Sequence, residues 1–401
     1  MTDIFDMQPR IALLDLKARK WRVLLEDSAD ARYIPTGHLV FLRQGTLMVV
    51  PFDLRRREVM GQPVPVIANI MQTLNVMDVA INTAAGQFSI SDSGWLVYAE
   101  GGILPDTQSS LAWVDRQGRT EPIASFKAPF LAPRLSPDGQ RIAYTTQGRE
   151  WRLWVYDLDR GTANQLSGEG KAIFVNWTPD GKRLVFGWRK SGWMNLYWQP
   201  ADGSAAMERL TTSDYDQCPG SWSPDGATLA FVDDLRDIFL LDLRSRRITP
   251  FLNSRASEDY PEFSPDGRWM AYVSDESGRE EVYVRPFPGS GGKWLISREG
   301  GREPLWARNE KQLLYRSTDG EQIWAVDVRA DGGFSASKPR LLFKAPGLET
   351  TGPIRTWDLS LDSQRFLMVK SDEAKPTPVT EMVLVMNWFQ DLQRLASTAK
   401  K

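Results

Sequence analysis

The sequence predicts an all-β protein: a closed propeller of four-stranded antiparallel blades, eight in number, with seven as the alternative. Three observations carry this. One turn phrase recurs at near-constant spacing, an apolar strand follows every copy, and the strands alternate without helices between them. The clear copies are Ser136-Pro-Asp-Gly139, Thr178-Pro-Asp-Gly181, Ser223-Pro-Asp-Gly226 and Ser264-Pro-Asp-Gly267. Their glycines lie 42, 45 and 41 residues apart. A fixed period of that size marks an array of like units. Four short strands per period make a propeller blade.

The phrase explains itself physically. Ser at the first position, Pro at the second and Gly at the fourth suit a type I turn. The glycine supplies the positive φ that closes the hairpin, and the Asp belongs to the turn. Weaker copies extend the array: Ile34-Pro-Thr-Gly37, Ser91-Asp-Ser-Gly94, the stretch 306–310, and Leu359-Ser-Leu-Asp-Ser363. That gives eight occurrences. Third strands follow at 111–115, 153–157, 195–198, 238–242, 281–284 and 323–327, and short fourth strands at 163–166 and 293–296.

The ends are irregular. Strands are expected at 11–16 and 21–25, and in the last repeat at 357–361, 365–370 and 382–387. Phe389, Leu392 and Leu395 then share one face of a short helix, 389–396. With no clear fourth strand left, an N-terminal strand is expected to complete the last blade and close the ring, which removes exposed edges. Residues 1–401 are read as a single propeller domain.

Composition narrows the function classes. Lys plus Arg is 49 and Asp plus Glu is 51, a net charge of −2 with no basic stripe, so a nucleic-acid partner is not expected. Cys218 is the only cysteine, so no intramolecular disulfide forms. No apolar run approaches 18 residues and the N-terminus lacks a basic leader, so no membrane insertion by this chain is expected. One His and one Cys cannot supply the usual zinc, iron or copper ligands. No cofactor is expected, and an oxygen-ligand calcium site stays open. There is no Gly-x-Ser-x-Gly elbow. His38 reads as a structural hydrogen-bonding residue. Trp95, Trp113, Trp154, Trp177, Trp198, Trp222, Trp306 and Trp324 fall at repeat positions and read as inter-blade packing.

The candidate site is an acidic sector in loops opposite the turns. Asp214, Tyr215 and Asp216 precede the fifth repeat, and Asp233, Asp234 and Asp237 follow its second strand. Glu258, Asp259 and Tyr260 come next, then Asp275, Glu276, Glu280 and Glu281. Such a sector reads as solvated loops or as a docking patch for a basic peptide or a cation, with the tyrosines as anchors. Trp188 and Trp193, in the loop one blade earlier, are a second binding candidate. Residues 68–87, with Met71 and Met77, read as a channel lid or as a packed insertion.

The repeats resemble those of TolB-like and WD-repeat-related propellers. Over nearly its whole length the chain is similar to the C-terminal propeller region of bacterial membrane-anchored serine/threonine protein kinases. Arg32-Tyr-Ile-Pro-Thr-Gly-His-Leu-Val-Phe41, Leu47-Met-Val-Val-Pro-Phe-Asp53, Leu111-Ala-Trp-Val-Asp-Arg-Gln-Gly118, Tyr272-Val-Ser-Asp-Glu-Ser-Gly278 and Val282-Tyr-Val-Arg-Pro-Phe-Pro288 carry that resemblance. It implies a non-enzymatic sensor or scaffold module that binds a protein or peptide through its loop face, with a kinase domain upstream in a longer protein. The phosphate loop and the His-Arg-Asp and Asp-Phe-Gly motifs of a kinase are not in this sequence. A soluble chain is expected: cytoplasmic if it is the complete gene product, and periplasmic if it is the sensor part of an anchored kinase. The alternative is a lactonase- or lyase-type propeller enzyme using a divalent cation in the central channel. Its mark would be carboxylates converging on the channel from several blades.

Overall fold

The computed structural model describes residues 9–73, 84–104, 108–123, 126–147, 151–289, 291–308, 311–330, 333–348, 355–371 and 379–398. Met77, and with it the middle of the 68–87 segment, lies outside them. The chain forms two compact units, residues 108–373 and residues 1–107 with 374–401. Each is described by itself.

The larger unit holds six antiparallel sheets, numbered here as blades. Blade 1 joins Trp357–Leu359 and Arg365–Ser371 to Ser109–Asp115 and Thr120–Pro122. Blade 2 is Phe130–Leu135, Arg141–Thr146, Arg152–Asp157 and Thr162–Gln165. Blade 3 is Lys171–Trp177, Arg183–Arg189, Asn195–Pro200 and Glu208–Arg209. Blade 4 is Gln217–Trp222, Thr228–Asp233, Asp237–Asp242 and Ile248–Leu252. Blade 5 is Glu258–Phe263, Trp269–Ser274, Glu281–Pro286 and Trp294–Leu295. Blade 6 is Arg302–Trp306, Gln312–Arg316, Gln322–Arg329 and Arg340–Lys344, with Ser335–Ala336 added at one end of its third strand. The propeller fold expected from the turn phrases is the observed one.

Apolar side chains from each blade fill the wedge against the next. Leu111 and Val369 of blade 1 meet Phe130 and Tyr144 of blade 2. The sequence continues through Val155 against Trp177, Val185 against Trp222, Ala230 against Phe263, and Trp269 against Trp306. Blade 6 then returns to blade 1, with Leu314 and Phe343 against Val114, Trp357 and Phe366. The circuit therefore closes at six.

The ring of eight closed by the extreme N-terminus is corrected here, and the reason is an exchange of third strands. The strand after the Ser91 phrase pairs with the last repeat instead: Ser109–Asp115 lies against Arg365–Ser371. The strand after the Leu359 phrase pairs with the Ser91 repeat: Val383–Val385 lies against Leu96–Tyr98. The expected N-terminal closing strands, Ile11–Asp15 and Lys20–Leu25, pair with each other. Two of the eight phrases thus open sheets of the smaller unit, the first being Ala29–Ile34, His38–Arg43, Thr46–Asp53 and Glu58–Val59. The helix Trp388–Thr398 forms as expected, with Trp388 and Leu392 buried against Leu47 and Leu96. Thr36 Oγ1 sits 3.0 Å from His38 Nδ1, the expected structural bond. Trp95 is 47% exposed and does not serve as packing.

The turns are small hydrogen-bonded machines. The Ser223 hydroxyl donates to Asp225 Oδ1 at 2.5 Å and accepts the Thr228 amide at 2.9 Å; Asp225 Oδ1 accepts the Ala227 amide at 3.0 Å. The same set recurs at Thr178, Ser264 and Ser360. The Ser223 hydroxyl and the Ala227 amide hold the Asp225 carboxyl below its usual range. Each turn glycine also faces the preceding blade's turn. A Cβ on Gly267 would lie 3.1 Å from Pro224, and one on Gly139 would lie 2.9 Å from Leu361. Leu361 stands where the regular phrase has its proline, so the degenerate copy keeps its place in the circuit.

Gly226 has φ +70°. Gly226→Val forces a β-branched residue into the left-handed region, so stability drops by about 2 kcal/mol or more. Chemical denaturation measures this, and an unchanged midpoint would contradict the turn assignment.

Candidate functional site

The inner strands of blades 2 to 6 carry a bulge, visible as a register shift at Leu131/Arg134, Ile173/Asn176, Pro219/Trp222, Asp259/Glu262 and Arg302/Leu305. Ala132, Phe174, Tyr260 and Glu303 take positive φ there. Arg134, Glu262 and Asp358 each stand two residues before the serine of their turn. Together with Arg355, Glu303 and Arg316 they form a buried charge network. Glu262 pairs with Arg355 at 2.6 Å. Arg134 donates to the Arg355 carbonyl at 3.0 Å. Asp358 accepts the Leu135 amide at 2.8 Å, and Glu303 accepts the Thr356 amide at 2.9 Å. Arg316 donates to Thr356 Oγ1 at 2.7 Å. These bonds tie blades 1, 2, 5 and 6 together.

A cavity of about 40 Å³ lies within this network, lined by Arg134, Cys218, Asp259, Tyr260, Glu262 and Arg355. It has room for a few waters. Burial, with Arg355 nearby, pulls Arg134 down to about 9. Burial pushes the Asp259 carboxyl up to about 7, against the Tyr260 amide bond at 2.6 Å that favours its charge. Burial likewise raises the Cys218 thiol well above its usual range, which makes it a poor nucleophile. The sequence reading missed Arg134, Glu262, Glu303, Asp358, Arg355 and Arg316. The available signal was a charged residue at one fixed place before the turn, on strands otherwise apolar.

The loop-end residues fall into two groups. Asp216 is buried, accepts the Met194 amide at 2.6 Å and lies 3.9 Å from Arg189. Asp233 accepts Gln217 Nε2 at 2.8 Å and Ser213 Oγ at 3.3 Å. Glu258 is 3% exposed and accepts Ser254 Oγ at 2.5 Å. Glu281 is buried against Ser297 and Arg279. Trp188 turns back on its blade, donating to the Glu169 carbonyl at 3.2 Å and meeting Tyr197 edge-on. These are framework positions.

The other group faces outward. Trp193 and Tyr215 are 37% and 42% exposed, with ring centroids 6.1 Å apart. Asp214, Asp234, Asp275 and Glu276 are exposed in the loops of blades 4 and 5. Asp275 accepts the Ser257 amide at 2.8 Å, and Glu276 pairs with Lys293. Burial raises Asp237 and Glu258, and each is raised further by neighbouring carboxylates. Asp237 Oδ1 and Glu258 Oε2 have no hydrogen-bond partner among the described residues. No three His, Cys, Asp or Glu side chains among the described residues converge as a metal-ligand set.

Two outcomes follow. Asp259 holds its proton in the folded chain at pH values where an ordinary Asp, at 3.8, has lost it. Stability from this group therefore declines as pH rises from about 4 to about 7 and is level above that. Asp259→Asn flattens that part of the melting-temperature profile, and an unchanged slope would contradict the assignment. Asp233→Lys breaks two bonds and costs about 1–3 kcal/mol, whereas exposed Asp214→Lys stays within about 0.5 kcal/mol. Equal losses in denaturant melts would show the division between the groups to be wrong.

Comparison with known proteins bears on the family and the fold. Residues 97–235 and 221–338, more than half of the chain, match the PD40 family, the TolB beta propeller domain. An uncharacterised protein of Agrobacterium fabrum is 25% identical over 67% of this chain and 92% of its own length. A TolB homologue of Chlorobium chlorochromatii is 31% identical over 27% of this chain and 25% of its own. A solved structure from Agrobacterium tumefaciens, described as a TolB, superposes with TM-score 0.54 at 21% identity. It covers 67% of this chain and all of that one. At that identity the likeness speaks to fold.

Proposed function

The chain belongs to the TolB beta propeller domain family, and from that premise we propose that it is a non-enzymatic docking module for a basic peptide or protein segment. The exposed Trp193–Tyr215 pair at the loop end of blades 3 and 4 carries the reading. Large rings held side by side at the surface are the usual anchors of an interface. Asp214 adjoins Tyr215 in the chain, and Asp234, exposed likewise, donates its amide to the Asp216 carbonyl at 3.0 Å on the other side. A Lys or Arg from a partner would meet these two carboxylates.

The second reading is a channel-based enzyme of the lactonase or lyase type, with a divalent cation. Asp259, held near neutrality beside the cavity, favours it, and Glu262 lines the same cavity. Glu262, Glu303 and Asp358 are already engaged by Arg355, Thr356 and Leu135, however, which weighs toward docking. A link to a kinase domain elsewhere in a longer polypeptide, and with it a periplasmic setting, extends the proposal. Among the described residues no helix is long and apolar enough to cross a membrane.

The test is affinity capture with the partner identified by mass spectrometry, followed by titration of the captured segment. Trp193→Ala and Asp214→Lys each weaken binding by about tenfold or more while melting stays unchanged. Wild-type affinity in both variants would refute the site.

A further inference from the structure

We propose that the turn end of blades 5, 6 and 1 is a second docking groove, for an extended acidic peptide segment. The groove is a trough of about 1060 Å³. Its origin is a strand that outruns its neighbour. In blade 6, Gln322–Arg329 pairs with Gln312–Arg316 only as far as Asp327, which faces Gln312. Val328 and Arg329 continue beyond and pair with Ser335–Ala336 instead. This two-stranded extension forms one wall. Arg116 and Gln364 of blade 1 and Arg268 of blade 5 form the other, with Lys311 between them.

The charge of the trough is one-sided. Its described lining carries Arg116, Arg268, Lys311 and Arg329 against a single acid, Asp327. Asp327 is already engaged by Gln312 Nε2 at 2.7 Å. Arg268 has Asp266 at 2.5 Å, but Arg116 has no such counterion. It donates to the Ser363 carbonyl at 2.8 Å and to Gln312 Oε1 at 2.7 Å. Neutral oxygens thus fix the guanidinium without cancelling its charge, and among the described residues no carboxylate lies within ion-pair distance of it. Partial burial and the like charge of Arg340 both act against its protonated form, with Asp327 opposing them. Arg329 is exposed and has no ion-pair partner among the described residues. A held, half-buried cation facing further cations is stabilised when an anion enters.

Size and lining choose the anion. The trough exceeds the ~300–1,000 Å³ of small-molecule sites. Among its described lining residues none is aromatic. A single-stranded nucleic acid would want stacking faces, whereas an acidic peptide needs only spaced cations and backbone partners. This groove has the opposite charge from the loop-end site and lies at the other end of the strands, so the two stand or fall separately.

The test uses the full chain and a fluorescein-labelled octaglutamate peptide, read by fluorescence anisotropy across a salt series. Binding is expected at low salt, weakening as salt rises. Arg329→Glu lowers affinity by about tenfold with the melting temperature unchanged, and Arg160→Glu, the same reversal at an exposed position outside the groove, leaves it at the wild-type value. Should Arg329→Glu fail to fold, Arg329→Ala gives the same comparison. The proposal is overturned if octaglutamate does not bind at low salt, if Arg329→Glu binds it as wild type does, or if an oligothymidine of similar charge binds more tightly.

Discussion

The larger unit depends on one long-range pairing, that of Ser109–Asp115 with Arg365–Ser371. Seven consecutive pairs, from Ser109 opposite Ser371 to Asp115 opposite Arg365, join segments some 250 residues apart in the chain. Closing so long a loop costs conformational entropy, though only logarithmically in its length. The return is a sheet with no open seam. Register matters as much as pairing. Leu367 and Val369 point toward blade 2, while Phe366 and Met368 point toward blade 6. A slip of one residue would reverse both faces and strand four apolar side chains against the wrong neighbours.

That closure also assembles the charged centre. Asp358 and Arg355 come from the returning segment, and they bond to residues of blades 2 and 5. The centre is therefore made from parts that meet only once the circuit is shut. Its carboxylates answer mainly to guanidinium groups and backbone amides. Truncating one member would leave the other buried and unpaired, the costly case for such pairs. At the two ends of the strands the surface then differs, acidic with exposed rings at one and basic at the other.

The turn phrases made the blade units legible, because Ser, Pro, Asp and Gly each have a local physical job that can be read without the rest of the chain. The helix Trp388–Thr398 was legible from Phe389 and Leu392 for the same reason. Blade number was not. The strands 109–115 and 383–385 look alike locally, and which repeat each completes is decided by partners hundreds of residues away. Within the loop-end sector, residue type told where acids cluster. It could not tell that Asp216, Asp233 and Glu258 turn inward to neighbours such as Met194, Gln217 and Ser254, while Asp234 does not. Trp188 and Trp193 were equivalent in sequence, and only packing against Tyr197 separates them.

Hydrogen exchange followed by mass spectrometry tests the closure most directly. The account predicts that amides of Ser109–Asp115 and Arg365–Ser371 exchange as slowly as those of the interior strand Thr228–Asp233, and open with the same denaturant dependence. Fast, denaturant-independent exchange of 109–115 beside a protected blade 4 would mean that the two segments fray independently, and the six-blade circuit would be wrong.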